Sequence, residues 1–291
     1  MESTNSSQDR ERTPAGHNTT RAPEMFDAQA AFFEQRAGLP LAYCEPIASA
    51  VLEIAEVRAG DLIVEVGPGT GQIGQWLVRE DVRYVGLDLS AGMLGEFSGR
   101  LSNKAGLRAI IRADANSGWP VMSGTARAIF SSRAIHLLDH EHVASEVTRV
   151  AEGFGGATLI IGRVEREQES TRALMAREMN ERLRRHGIEG RGGAGQKRKL
   201  FDALQRRGSE ILEPVVVARW TVSACPRGSI NSWRSLASLG GVRVADALRD
   251  QILTELEDWA NDMFGGLDQE LEAEETYVLT PFRIRAAQLL E

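Results

Sequence analysis

The sequence predicts a doubly wound α/β fold: a mainly parallel sheet with helices on both faces, carrying a helical cap. Three observations predict it. Short apolar runs alternate with helical stretches from about residue 60 to residue 162. The first of these runs ends on a glycine-rich loop that opens a helix, Glu65-Val66-Gly67-Pro68-Gly69-Thr70-Gly71. After Arg163 the rhythm breaks into long charged helices and then returns to a last strand-like run. Strands alternating with helices at this spacing make βαβ units, whose crossovers force parallel pairing.

Each element has a local reason. Residues 1–24 are rich in Ser, Thr, Asn, Arg and Glu, without apolar periodicity, and predict a disordered tail. Phe26, Ala30 and Phe33 fall at helical spacing before Gly38 and Pro40. Tyr43 to Val57 predicts a second helix, with Pro46 in its first turn, where a missing N–H costs nothing. Leu62–Val66 reads as a buried parallel strand and Gly71–Arg79 as the helix after it. Arg83–Asp88 is the second strand, followed by a helix over Ser90–Ser98 with Ser90 as its N-cap. Leu107–Ile111, Ala126–Ser131 and Ala157–Ile161 are the third, fourth and fifth strands, with a helix over Glu141–Val150.

Beyond them, helices are expected over Glu165–Arg185, Lys197–Arg207, Ser229–Leu239 and Asp246–Phe264. Strands are expected over Glu213–Ser223 and Thr276–Arg285, paired at one sheet edge. The organisation that follows is a tail, 1–24, and one domain, 25–291. Its cofactor core spans 25–163, the cap and edge strand 164–275, and the final strand 276–291.

The 291 residues carry a formal net charge of −7, which argues against a nucleic-acid binder held by bulk charge. Charge is segregated all the same. Arg163–Arg207 holds 13 basic and 7 acidic residues, whereas Asp246–Glu275 holds 11 acidic residues and one basic. Cys44 and Cys225 have no metal-ligand or redox spacing and read as free thiols in a reducing cytoplasm. No apolar run is long enough for a membrane helix, and the polar start lacks a secretion signal, so a cytoplasmic location is expected.

The glycine loop alone is compatible with two cofactors. Gly69-Thr70-Gly71-Gln72-Ile73-Gly74 satisfies the dinucleotide pattern. Three companions argue against a dinucleotide. Glu65 stands two residues before Gly67, where a carboxylate would repel a pyrophosphate but suits an ammonium. Asp88 ends the next strand, where an acid reaches a ribose diol. Asp114-Ala115 follows the third strand, where a carboxylate can accept from an adenine amino group.

With these residues the chain resembles the class I S-adenosylmethionine-dependent methyltransferases, in particular the UbiE-like small-molecule group. The likeness runs from about Tyr43 to Gly162, through Glu65–Gly71, Tyr84–Ser90 with Met93, Arg112–Ala115 and Ile129–His136. It implies a seven-stranded sheet of order 3-2-1-4-5-7-6, the last strand antiparallel. It also implies S-adenosylmethionine as cofactor and S-adenosylhomocysteine as product. Gly67, Gly69 and Gly71, with Pro68 between them, would line the methionine side, and Asp88 would bind the ribose. Leu89 and Met93 would flank the adenine, Asp114 with Ala115 would hold its amino group, and Ser131 would sit beside the cofactor.

Methyl transfer is a displacement at carbon that needs alignment first and a general base only for protonated acceptors. His136, just after the fourth strand, is the candidate base. His140 and His142 are expected in solvent. Phe33, Tyr43, His136 and Trp233 are the candidate acceptor contacts, and Trp220, Trp259 and Tyr277 further possible pocket aromatics. The cap segment Glu165–Arg207 and the N-terminal helix are expected to close over the methyl group, with Gly187–Gly195 as a lid or a plain linker. Ser131-Ser132-Arg133 stands where enzymes acting on base nitrogens carry an acidic-or-Asn, Pro, Pro, aromatic motif, and no Asp ends the fourth strand. A small-molecule acceptor and no metal are therefore expected. The alternatives are an RNA or protein methyltransferase, or a methyltransferase-like binding protein without catalysis.

Overall fold

The computed structural model describes residues 34, 38–79, 81–101, 106–151, 153, 156–190, 194–236 and 238–285. The expected tail and N-terminal helix, Phe33 included, lie outside them. The cofactor half contains α1 (Leu41–Ile54), β1 (Leu62–Val66), α2 (Gly74–Leu77), β2 (Arg83–Asp88) and α3 (Ala91–Arg100). It continues with β3 (Leu107–Arg112), β4 (Ala126–Ser132), α4 (His140–Val150) and β5 (Ala157–Arg166). The second half contains α5 (Thr171–Arg185), α6 (Ala194–Arg206), β6 (Glu210–Ile211), β7 (Val215–Ala224) and α7 (Pro226–Arg234). A small hairpin follows, β8 (Ser238–Leu239) and β9 (Val242–Arg243), then α8 (Asp246–Phe264) and β10 (Leu271–Ile284).

The main sheet has the order β3-β2-β1-β4-β5-β10-β6, with β7 also paired to β10. β1 to β5 run parallel, and β10 runs antiparallel to β5, from Glu275 opposite Arg166 to Ile284 opposite Ala157. The expected order therefore holds, with one addition. β7 covers Leu271–Leu279 of β10 and β6 covers Phe282–Arg283, so eight strands fill seven lanes.

Strand alternation divides the core between the two sheet faces. Val64, Val66, Leu87, Ile129 and Leu159 meet Val143 and Val147 of α4 and Leu200 and Leu204 of α6. Ile63, Tyr84, Phe130, Ile160 and Tyr277 meet Ile47 and Val51 of α1 and Phe97 of α3. β1 is buried along its whole length, as a central parallel strand covered on both faces should be.

Helix starts follow side-chain caps. Ser90 accepts from the Met93 N–H at 3.2 Å, as expected, and Asp139 from the His142 N–H at 2.7 Å. Three expectations are corrected. The charged run from Glu165 does not begin a helix: residues up to Arg166 pair with β10, and Ser170 caps a helix starting at Thr171. The helix expected over Ser229–Leu239 ends at Arg234, and Gly240 and Gly241, both at positive φ, turn the chain between β8 and β9. The helix after the glycine loop covers only Gly74–Leu77.

The cap elements α5, α7 and α8 form cores of their own. Met179, Leu183, Ile252 and Leu256 make one, and Met175, Ile230 and Ala260 another. Among the described residues no helix is long and apolar enough to cross a membrane.

Candidate functional site

The glycine loop is bent by three left-handed glycines, Gly67, Gly69 and Gly71, at φ of 73°, 57° and 77°. They serve different ends. A β-carbon at Gly71 would overlap the Phe97 ring, so this glycine is required by packing. One at Gly69 would meet nothing, which leaves that backbone open to a ligand. The Gly69 N–H donates to Asp88 Oδ2 at 2.9 Å, and the Ser90 N–H donates to Asp88 Oδ1 at 3.0 Å. Both carboxylate oxygens of Asp88 are thereby oriented at the carboxyl end of β2.

A cavity of about 1340 Å³ runs along the carboxyl ends of the strands. Its wall brings together Glu65, Gly67, Pro68, Gly69, Asp88, Leu89, Met93, Asp114, Ala115 and His136, the residues named from sequence far apart along the chain. Glu65 is almost wholly buried and accepts from the Tyr84 hydroxyl at 2.5 Å. Burial pushes its pKa up to about 7, the Asp88 charge adds to this, and the Tyr84 hydrogen bond opposes it. Burial likewise raises the Tyr84 phenol, with the Glu65 charge behind it. Asp114 is exposed and accepts from the Asn116 N–H at 2.9 Å.

Other expectations fall elsewhere. Gly71 lies behind the wall, against Phe97. Ser131 is fully buried and donates to the Val66 carbonyl at 2.8 Å, whereas its neighbour Ser132 lines the cavity. Tyr43 stacks on Trp220 with ring centroids 5.4 Å apart and is not on the wall. Trp233 packs with Trp259 in the cap cores, because α7 is sandwiched by α5 and α8 rather than turned to the sheet. His136 is exposed in a short 3-10 turn, Ile135–Leu137. His140, expected in solvent, is half-buried on the wall, and burial lowers its pKa. His142, also expected in solvent, is half-buried, its Nε2 2.8 Å from the Ser117 carbonyl.

Several wall residues carried no local signal. Lys199, Asp202 and Arg206 come from α6, which packs beside α4. Arg133 lines the cavity from a left-handed backbone, φ 56°, and burial lowers its pKa. The chain before α1 also reaches the loop. Thr70 Oγ1 donates to Glu34 at 2.6 Å, Arg100 pairs with the same carboxylate, and Leu39 and Gln72 exchange two hydrogen bonds.

Residues 63–155 match the family model described as a methyltransferase domain. No curated protein sequence matches the chain. Among solved structures, the YcgJ protein from Bacillus subtilis is similar at 18% identity and a TM-score of 0.52, covering 82% of this chain and 98% of that one. The [4+2]-cyclase SpnF is similar at 17% identity and a TM-score of 0.54, covering 91% and 95%. At such identities these likenesses speak for the fold. With the domain match, the sheet order and the strand-end cavity, the chain carries a methyltransferase domain over residues 63–155, on a fold like that of the class I methyltransferases.

Proposed function

We propose that the protein methylates a small-molecule acceptor held in the same cavity as the cofactor. The observation that carries this reading is the cavity itself. At about 1340 Å³ it exceeds the 300–1,000 Å³ of an ordinary ligand site, so cofactor and a small acceptor fit together. The residues fit S-adenosylmethionine. Glu65 offers a carboxylate to the ammonium, and Gly67, Pro68 and Gly69 let the methionine half approach the backbone. Asp88, already oriented by two N–H donors, would take the ribose hydroxyls. Leu89 and Met93 would flank the adenine, with Asp114 and Ala115 at its edge.

The cofactor supplies an electrophilic methyl group on its sulfonium. What this chain supplies is alignment of the acceptor and, at His136, a base for a hydroxyl or ammonium acceptor. An RNA or protein acceptor has less support, because much of the basic segment is already held in ion pairs. Arg182 pairs with Glu178, Arg184 and Arg185 with Glu181, and Arg206 and Arg207 with Glu141.

The test is methyl transfer from methyl-labelled S-adenosylmethionine to pools of small acceptors and, in parallel, to RNA. Label is expected in small products. Label confined to RNA, or no label with intact cofactor binding, would overturn the reading. With an acceptor in hand, His136→Asn should lower kcat about 100-fold with little change in KM. An unchanged kcat would remove His136 as the base.

A further inference from the structure

Two hydroxyls at the β4–β5 end of the cavity share one hydrogen bond, and the cofactor site uses neither. Ser132 ends β4 and lines the cavity, half-buried. Its Oγ lies 2.6 Å from the hydroxyl of Tyr277, which belongs to β10 and is wholly buried. β5 runs between β4 and β10, so the phenol has to reach across a strand. Gly162 of β5 makes room for it. This glycine pairs with Ser132 on one side and Leu279 on the other. A β-carbon there would fall 2.2 Å from the Tyr277 oxygen. A serine, a glycine and a tyrosine on three adjacent strands thus form one unit, and Ser132 is its member on the cavity wall.

Counting hydrogens fixes the direction of the bond. Each hydroxyl has one proton to donate and lone pairs with which to accept. Among the described residues, Ser132 is the hydrogen-bond partner of the Tyr277 hydroxyl. Were Ser132 the donor, the phenol proton would be buried without an acceptor, the costlier arrangement. Burial also raises the Tyr277 pKa, so the phenol keeps its proton at neutral pH. Tyr277 therefore donates and Ser132 accepts. The Ser132 proton is left over, on a wall side chain with no further hydrogen bond among the described residues. Its neighbour Ser131 differs, since it gives its proton to the Val66 carbonyl at 2.8 Å. The three acids read as cofactor contacts stand on or just after β1, β2 and β3, whereas Ser132 ends β4 on the other side of β1. That end of the cavity is the one left for an acceptor.

We infer that Ser132 is a specificity-determining donor that recognises an oxygen lone pair of the methyl acceptor, and that Tyr277 is the positioning residue that aims it. This rests on the methyltransferase reading of the cavity and adds the chemical class of the acceptor. It is a molecule with a carbonyl, ether or hydroxyl oxygen that takes a hydrogen bond at the end of β4.

The test uses the full chain loaded with S-adenosylhomocysteine and two probes of similar shape, acetophenone and ethylbenzene, titrated by ligand-observed NMR. Of the two, acetophenone alone carries an oxygen that can accept. It should bind, and Ser132→Ala should weaken it about fivefold while ethylbenzene stays within about twofold. Tyr277→Phe, which removes one oxygen from the core, should weaken acetophenone about threefold and spare S-adenosylhomocysteine. In the Ser132→Ala background Tyr277→Phe should have no further effect, a coupling that a merely structural role would not produce. Acetophenone failing to bind, or binding equally well to Ser132→Ala, would overturn the inference. Additive effects of the two substitutions would remove Tyr277 as the positioning residue. If Tyr277→Phe does not fold, Ser132→Ala by itself still decides whether the donor is there. Failure of the wild-type chain to bind S-adenosylhomocysteine would instead strike the cofactor reading, and titration of the unloaded chain would still decide the Ser132 site.

Discussion

The β1–β2 end of the cavity and the cap are built on opposite plans. At the former, backbone does the work. Left-handed glycines open the loop at residue 69, and strand ends aim Glu65 and Asp88 with oxygens already hydrogen-bonded. In the cap, side chains do the work: Trp233 and Trp259 fill apolar cores, and arginines pair with nearby carboxylates. The contrast teaches where chemistry and where stability reside. A substitution at the β1–β2 end should change ligand binding or the loop itself, whereas one in the cap core should cost stability and spare the cofactor.

The largest expected effect tests whether the loop is also a packing element. Gly71→Val meets both a left-handed backbone and the Phe97 ring, and should cost about 4 kcal/mol in urea unfolding. A loss under about 1 kcal/mol would mean that the loop relaxes freely and is not fixed by α3.

Next is Glu65. Its native pKa of about 7 lies above the ordinary 4.5, so the unfolded chain ionises first as pH rises. Native stability relative to Glu65→Gln should therefore fall between about pH 4.5 and 7, by roughly 3 kcal/mol in total, and be recovered on acidification. A cofactor ammonium beside Glu65 would favour its ionised form. Binding of S-adenosylmethionine near pH 6.5 should then release a proton, seen as a buffer-dependent calorimetric enthalpy. A flat stability difference across this range would show that Glu65 titrates normally.

Asp88→Ala should weaken S-adenosylmethionine binding about 100-fold, or about 3 kcal/mol, since charged hydrogen bonds to two hydroxyls are lost. Unchanged affinity would remove Asp88 from the ribose site. Trp233→Ala should cost about 2 kcal/mol of stability while cofactor affinity stays constant. A selective loss of acceptor binding, with stability intact, would return Trp233 to the pocket and erase the contrast between the two regions.

Legibility follows the same division. That Glu65, Gly69, Asp88 and Asp114 share one cavity wall could be read because each sits at a fixed offset from a strand end, and offsets survive in one dimension. Gly71 fitted the same pattern, but it answers to Phe97, a residue of α3 that only packing brings near. Arg133 sits in a plain Ser-Ser-Arg-Ala run, and only the fold shows it on the cavity wall, just past the end of β4. Lys199 and Arg206 reach the cavity because α6 packs beside α4. Trp233 misled for the converse reason: a large aromatic behind a Pro–Gly start suits a pocket as well as a cap core.

The sequence by itself determined the alternating architecture, the strand that feeds the glycine loop, and the acids that succeed it. Periodicity, turn residues and caps act between neighbours, so they are written locally. The tertiary structure alone decided that β6 and β7 share one lane beside β10, that His140 faces the cavity, and that two arginines and Trp220 gather on Glu275. Those outcomes depend on register and on helices packed across long separations in sequence, where no local preference reaches.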